Sequence, residues 1–204
     1  MVLAPSMSQA ALLIQITDGT NTVTVADGSA LDIVAGSGAV GYAGAVGSWL
    51  FTVGVGTSDS NPLAMHLTSS VTGLRTSGHL SIMFTETDLV AGVDPMPFMA
   101  YGGGAGAYGS QASWAGYVDD SNAAFGTGQT VFGSNGYATA GGSQSAALNG
   151  TYSATLVANF DYTGIGDWTL HGSSLDLNLI PEPTSLALLG LGLVGMGAMR
   201  RRKS

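Results

Sequence analysis

The sequence predicts an all-β chain: an antiparallel β-sandwich of jelly-roll type, followed by a single C-terminal transmembrane helix. Three observations predict it. Apolar residues alternate with polar ones at a period of two in stretch after stretch, the pattern of a strand with one buried face. Turn dipeptides such as Asp18-Gly19 and Asp27-Gly28 separate those stretches at short spacing, which favours hairpins and two packed sheets. Sixteen uncharged residues, 184–199, then close the chain ahead of four adjacent cations. No stretch before Pro183 carries an apolar period of 3.6 over a useful length.

Residues 1–10 read as the rear of a signal peptide whose start codon lies upstream. Ser8-Gln9-Ala10 has the small-x-small form of a cleavage site, but a basic start and a long apolar core are missing. The ectodomain is expected over 11–180. Leu12, Ile14 and Ile16 alternate with Leu13, Gln15 and Thr17, and Asp18-Gly19 reads as a two-residue turn returning through Val23 and Val25. Trp49, Phe51, Val53 and Val55 are expected on one face of the next clear strand. Leu80, Ile82 and Phe84 define another, as do Ala154, Leu156, Ala158, Phe160 and Tyr162. Leu175, Leu177 and Leu179 define the last before the tail. In all, nine to eleven strands are expected. Between these blocks, 101–117 reads as a glycine-rich surface loop, with irregular surface strands as the alternative, because glycine loses the most backbone entropy on ordering.

The tail begins at Pro181-Glu182-Pro183, where two prolines cannot continue a helix and give the membrane segment a sharp start. At about 1.5 Å per residue the apolar helix 184–199 rises roughly 24 Å, slightly short of a hydrocarbon core of about 30 Å. Thinning of the bilayer or snorkelling flanks accommodate that difference. Arg200, Arg201, Arg202 and Lys203 form a basic stop that stays cytoplasmic by the positive-inside rule, with everything before Pro181 outside.

This order of Pro-Glu-Pro, short apolar helix and basic cluster, spanning 181–204, resembles the PEP-CTERM sorting signal of Gram-negative bacteria. The resemblance implies a transient hold in the inner membrane and processing near Pro181, Glu182 and Pro183 by a membrane-embedded exosortase. Delivery to the cell surface or the extracellular matrix follows. It also implies a β-sandwich ectodomain, because the Thr17–Val23 stretch, the Trp49 strand and Ile82-Met83-Phe84 look like a recurrent ectodomain type of that family.

Charge narrows the partners. Setting aside Glu182 and the four tail cations, twelve acidic residues face one basic residue, Arg75, for a net charge of −11. Such a surface disfavours nucleic acid and anionic headgroups. Cysteine is absent, so the core alone must hold an exported fold.

Candidate chemistry is sparse. His66, His79 and His171 stand in no metal-ligand spacing, and the structural reading of each is favoured. No Gly-x-Ser-x-Gly elbow occurs. Asp18, Asp27 and Asp32, then Glu86 with Asp88, then Asp119 with Asp120, are the oxygen-ligand candidates for a structural calcium. Turn-forming and solubility roles are favoured over that site, so no cofactor is expected. Tyr101, Tyr108, Trp114 and Tyr117 are candidates for stacking on sugar rings, with an equal case for core anchors. The expected function is therefore a non-enzymatic envelope or matrix protein with a structural, adhesive or polysaccharide-contacting role. A secreted polysaccharide hydrolase and a permanently anchored surface protein are the alternatives.

Overall fold

The computed structural model describes residues 11–180 except 61–62, 74–76, 93, 106–109 and 163–167. The expected signal-peptide remnant, the sorting motif, the transmembrane helix and the basic stop all lie outside the described residues. Twelve strands are described: β1 (Leu12–Thr17), β2 (Thr22–Ala26), β3 (Ala39–Val46), β4 (Trp49–Ser60), β5 (Leu63–Gly73), β6 (Gly78–Val90), β7 (Met96–Gly104), β8 (Ser110–Asp119), β9 (Gln129–Asn135), β10 (Ala140–Ala146), β11 (Thr151–Tyr162) and β12 (Trp168–Leu179). They form two six-stranded antiparallel sheets. Sheet A runs β2-β1-β6-β11-β8-β9 and sheet B runs β10-β7-β12-β5-β4-β3. From β6 onward, each strand lies in the opposite sheet to the one before it, except that β8 and β9 are neighbours in sheet A.

The period-two stretches form strands where expected. Ile14 and Ile16 of β1, Leu80, Ile82 and Phe84 of β6, Leu156 and Ala158 of β11, and Leu175 and Leu177 of β12 are all sealed between the sheets. Burial of those apolar faces drives the two layers together, at about 25 cal/mol per Å² of apolar surface removed from water.

Four expectations are corrected. The β1–β2 turn is a four-residue loop, Asp18–Asn21, closed by Asp18 N–H to the Asn21 carbonyl at 3.1 Å. In β4 the register shifts between Phe51 and Val53, and that bulge moves one residue out of step. Trp49 and Phe51 face the core, then Gly54 and Gly56 do, while Val55 is only half-buried. The count of twelve exceeds nine to eleven, because strands such as Ala140–Ala146 (AGGSQSA) carry no apolar alternation. Finally, the glycine-rich loop at 101–117 is largely strand: β7 runs through Gly104 and β8 starts at Ser110.

The glycines there and in β4 have a steric purpose. A Cβ on Gly102 in sheet B would lie 2.8 Å from the Trp114 Cβ in sheet A, and one on Gly56 would lie 2.4 Å from the Phe84 ring. Each removes a side chain on one sheet so that a large ring from the other can fill the gap, and close packing is preserved.

Candidate functional site

A row of polar and aromatic groups crosses the outer face of sheet B. Tyr101 of β7 pairs in register with Asp176 of β12, Asp176 with His66 of β5, and His66 with Thr57 of β4. Each of these residues lies between core positions on its own strand: Ala100, Leu175 and Leu177, and Met65 and Leu67 are buried. Alternation therefore turns the row outward. Asp176 Oδ1 lies 2.7 Å from His66 Nδ1, with side chains 35% and 42% exposed. This pair fixes the carboxylate over the sheet while leaving its second oxygen available. Beside it, Tyr101, Gly102, Gly103, Thr139, Ser174 and Asp176 line an open cleft of about 240 Å³. Gly141, the β10 partner of Tyr101, leaves room for the tyrosine ring, since a Cβ there would lie 2.8 Å from Tyr101 Cδ1.

The four aromatic candidates separate. Tyr101 is exposed and forms one wall of this cleft. Trp114 takes the core-anchor side of its two readings: it is 1% exposed, and its Nε1–H donates to the Gly136 carbonyl at 2.6 Å. A buried tryptophan needs such a partner for its N–H. Tyr117 is half-buried on the outer side of sheet A, in register with Thr155, and Tyr108 lies outside the described residues. Of the histidines, His66 and His79 each meet an aspartate from the neighbouring strand, His79 Nδ1 standing 2.8 Å from Asp161 Oδ1. His171 belongs to β12, but its side chain is not described.

The acidic candidates do not converge. Asp18 accepts from Thr20 N–H at 2.8 Å and from Asn21 N–H at 2.6 Å. The Asn21 backbone and side-chain donors lead in holding its carboxyl below the usual range. Asp27 accepts from Gly38 N–H at 2.9 Å. Desolvation raises Asp32, but the N–H groups of Val34, Gly41 and Gly28 outweigh it and the net displacement is downward. Asp119 is held low by the Ser121 hydroxyl and backbone N–H, while Asp120 turns away to accept from Asn149 N–H at 2.6 Å. These carboxylates serve as turn staples, and among the described residues no three histidine, aspartate or glutamate side chains gather as a metal group would.

Glu86 and Asp88 part company. Asp88, at φ 59°, exchanges hydrogen bonds of 2.8 Å with Asn122. Glu86 points between the sheets, 4% exposed, and accepts from the Ser58 hydroxyl of the opposite sheet. An inward carboxyl on a core-facing strand position is what sequence alternation misses, although Leu80-x-Ile82-x-Phe84-x-Glu86 carries the signal in plain view. Burial raises Glu86, the Ser58 hydrogen bond offsets part of this, and the Asp59 charge adds to it. Burial and then the Glu86 charge push the Tyr152 hydroxyl to about 12.

The sign of the consequence follows by linkage. The folded state holds the Glu86 proton more tightly than the unfolded chain does. Stability is therefore fullest below the ordinary carboxyl range and is lost as pH rises through the folded value. Glu86→Gln is expected to raise the Tm at pH 7 by about 2–4 °C, the size of a 1 kcal/mol gain in a chain this long, and to leave it unchanged at pH 3. Thermal melts at both pH values check this; a Gln variant less stable at pH 7 contradicts it.

The chain matches the PEP-CTERM protein-sorting motif over residues 179–203. That motif marks an exported protein with a membrane-anchored sorting signal and implies an exosortase as its processing partner. No curated protein matches the chain. Among solved structures, TmCBM61 in complex with beta-1,4-galactotriose is similar at 11% identity and TM-score 0.34, over 66% of this chain and 88% of that one. A glycoside hydrolase family 43 arabinoxylan arabinofuranohydrolase from Bacillus subtilis is similar at 14% identity and TM-score 0.27, over 56% of this chain and 21% of that one. Tailspike protein 4 of bacteriophage CBA120 is similar at 16% identity and TM-score 0.29, over 71% of this chain and 20% of that one. These likenesses carry no argument about what this chain binds.

Proposed function

We propose that this PEP-CTERM protein is a non-enzymatic component of the cell surface or extracellular matrix that holds neutral polysaccharide on the outer face of sheet B. The observation that carries the reading is the row Tyr101, Asp176, His66 and Thr57, standing in register beside the cleft. The apolar face of a sugar ring packs on an aromatic side chain, which offers contact area at low entropy cost. Sugar hydroxyls both donate and accept, and carboxylate, imidazole and Ser or Thr hydroxyls supply both kinds of partner. The net charge of −11 before Pro181 disfavours uronic-acid polymers.

Hydrolysis is not the reading favoured, because glycoside cleavage ordinarily uses two carboxyl groups flanking the bond. Among the described residues Asp176 is the one carboxylate lining this cleft, and Glu86 is sealed between the sheets. The alternation of β5 to β12 between the sheets supports a jelly roll, with β1 to β4 widening it. For the tail, the same reading has 184–199 spanning the inner membrane of a Gram-negative bacterium and Arg200 to Lys203 in the cytoplasm. Exosortase then acts near Pro181, Glu182 and Pro183. The alternative, a permanently anchored surface protein, keeps that tail.

A panel of immobilised neutral, uronic-acid and amino-sugar oligosaccharides tests the site. Wild type is expected to bind neutral members, and Tyr101→Ala to weaken the part of that binding made at the sheet B cleft at least about tenfold, as loss of a central aromatic anchor does. Binding confined to uronic-acid members, or untouched by Tyr101→Ala, contradicts the reading.

A further inference from the structure

The arrangement beside Tyr101 occurs a second time, on the opposite face. In the first cleft an aspartate (Asp176) is held by the Nδ1 of a histidine on the next strand (His66), beside a tyrosine, a serine (Ser174) and a glycine (Gly103). On sheet A, Asp161 is held by the Nδ1 of His79 on the next strand, at 2.8 Å. It lies beside Tyr137, Ser113 and Gly136 in a cleft of about 420 Å³ that Gln111 and Asn135 also line. We infer that this second cleft is a further binding site for neutral polysaccharide, so that one molecule bridges two glycan segments. This rests on the reading of the first cleft.

The lining selects the ligand class. Gln111 and Asn135 each present an amide that donates and accepts, which matches neighbouring hydroxyls on a sugar. Ser113 Oγ accepts from Asn159 Nδ2 at 3.3 Å, and that leaves its own proton to donate. The Tyr137 ring stands edge-on to buried Trp114, centroids 6.3 Å apart at 73°, and supplies an apolar wall. Among the described residues neither cleft is lined by lysine or arginine, which favours a neutral ligand over an anionic one. Among those residues each is lined by one carboxylate, which suits holding a glycan better than cutting it.

The two clefts lie on either side of the β9–β10 turn: Thr139 lines the first, and Gly136 and Tyr137 the second. That turn is tied down at three points. Gly136 N–H donates to the Ala112 carbonyl at 2.8 Å, Gly104 N–H to the Tyr137 carbonyl at 3.0 Å, and the Trp114 indole to the Gly136 carbonyl at 2.6 Å. The two clefts share no lining residue, so each can take its own glycan segment.

The test titrates the full chain in detergent micelles with cellotetraose, a galactotetraose and isomaltotetraose by calorimetry. It then follows light scattering with the corresponding soluble polymers. Two equivalents per chain are expected for the wild type with the tetrasaccharide that binds. One is expected for Tyr101→Ala, one for the Gln111→Ala, Asn135→Ala double variant, and none for the three changes together. Either single-cleft variant is expected to bind polymer without the rise in scattering. One equivalent in the wild type, unchanged by Gln111→Ala with Asn135→Ala, overturns the second cleft and leaves the first standing. No heat from any of the three sugars overturns both.

Discussion

Replacing Trp114 with alanine is expected to cost about 3–5 kcal/mol of folding stability, the range for removing a buried large aromatic. The Tm then falls by roughly 10 °C. Trp114 meets Phe160 edge-on at 5.4 Å and 81° and Tyr137 at 6.3 Å and 73°, and Gly102 exists as bare backbone to admit it. Its indole N–H also holds the β9–β10 turn at Gly136. Trp114→Phe keeps much of the ring and loses that hydrogen bond, so it is expected to cost less than half as much. Urea unfolding of the three proteins measures the series. A loss under about 1 kcal/mol for Trp114→Ala contradicts the packing described, since core truncations of this size do not pass unnoticed.

Trp114 also shows how far the sequence could be read. In a stretch as glycine-rich as 101–117, the sequence alone does not choose between an exposed aromatic residue and a core anchor. What decides it lies in the other sheet, where Gly102 leaves the space it fills, and no local pattern reports a contact across layers. The bulge after Phe51 hid Gly54 and Gly56 in the same way. One extra residue reversed the alternation, so Val55 carried the apolar signal while the glycines took the core. Where alternation ran unbroken, as in Leu12 to Ile16, strand and buried face were legible outright; in β11 the strand was legible, but Thr155 and Val157 on its other face are buried as well. Of the site, Tyr101 was legible as a stacking candidate. His66 and Asp176 were not legible as a pair, because 110 residues separate them and the strand order alone brings them together.

Replacing Pro181, Glu182 and Pro183 together with alanine is expected to stop processing. The chain should accumulate at full length in the membrane fraction, and its surface and matrix fractions should fall at least about tenfold. Under the reading proposed for the tail, two prolines disfavour helix at the motif, which suits access by a processing enzyme. Alanine, the best helix former, would remove that bar to helix. Fractionation with immunoblotting reads the outcome; surface levels equal to wild type contradict it. Either result bears on how the ectodomain leaves the membrane and leaves its sheets untouched.

The most direct measurement is the intact mass of the wild-type chain recovered from the cell surface and the medium. A C-terminus at or near Pro181, with Arg200 to Ser204 gone, is the predicted result. Material at the surface that keeps Arg200 to Ser204 throughout would contradict it and identify a simple, permanent anchor.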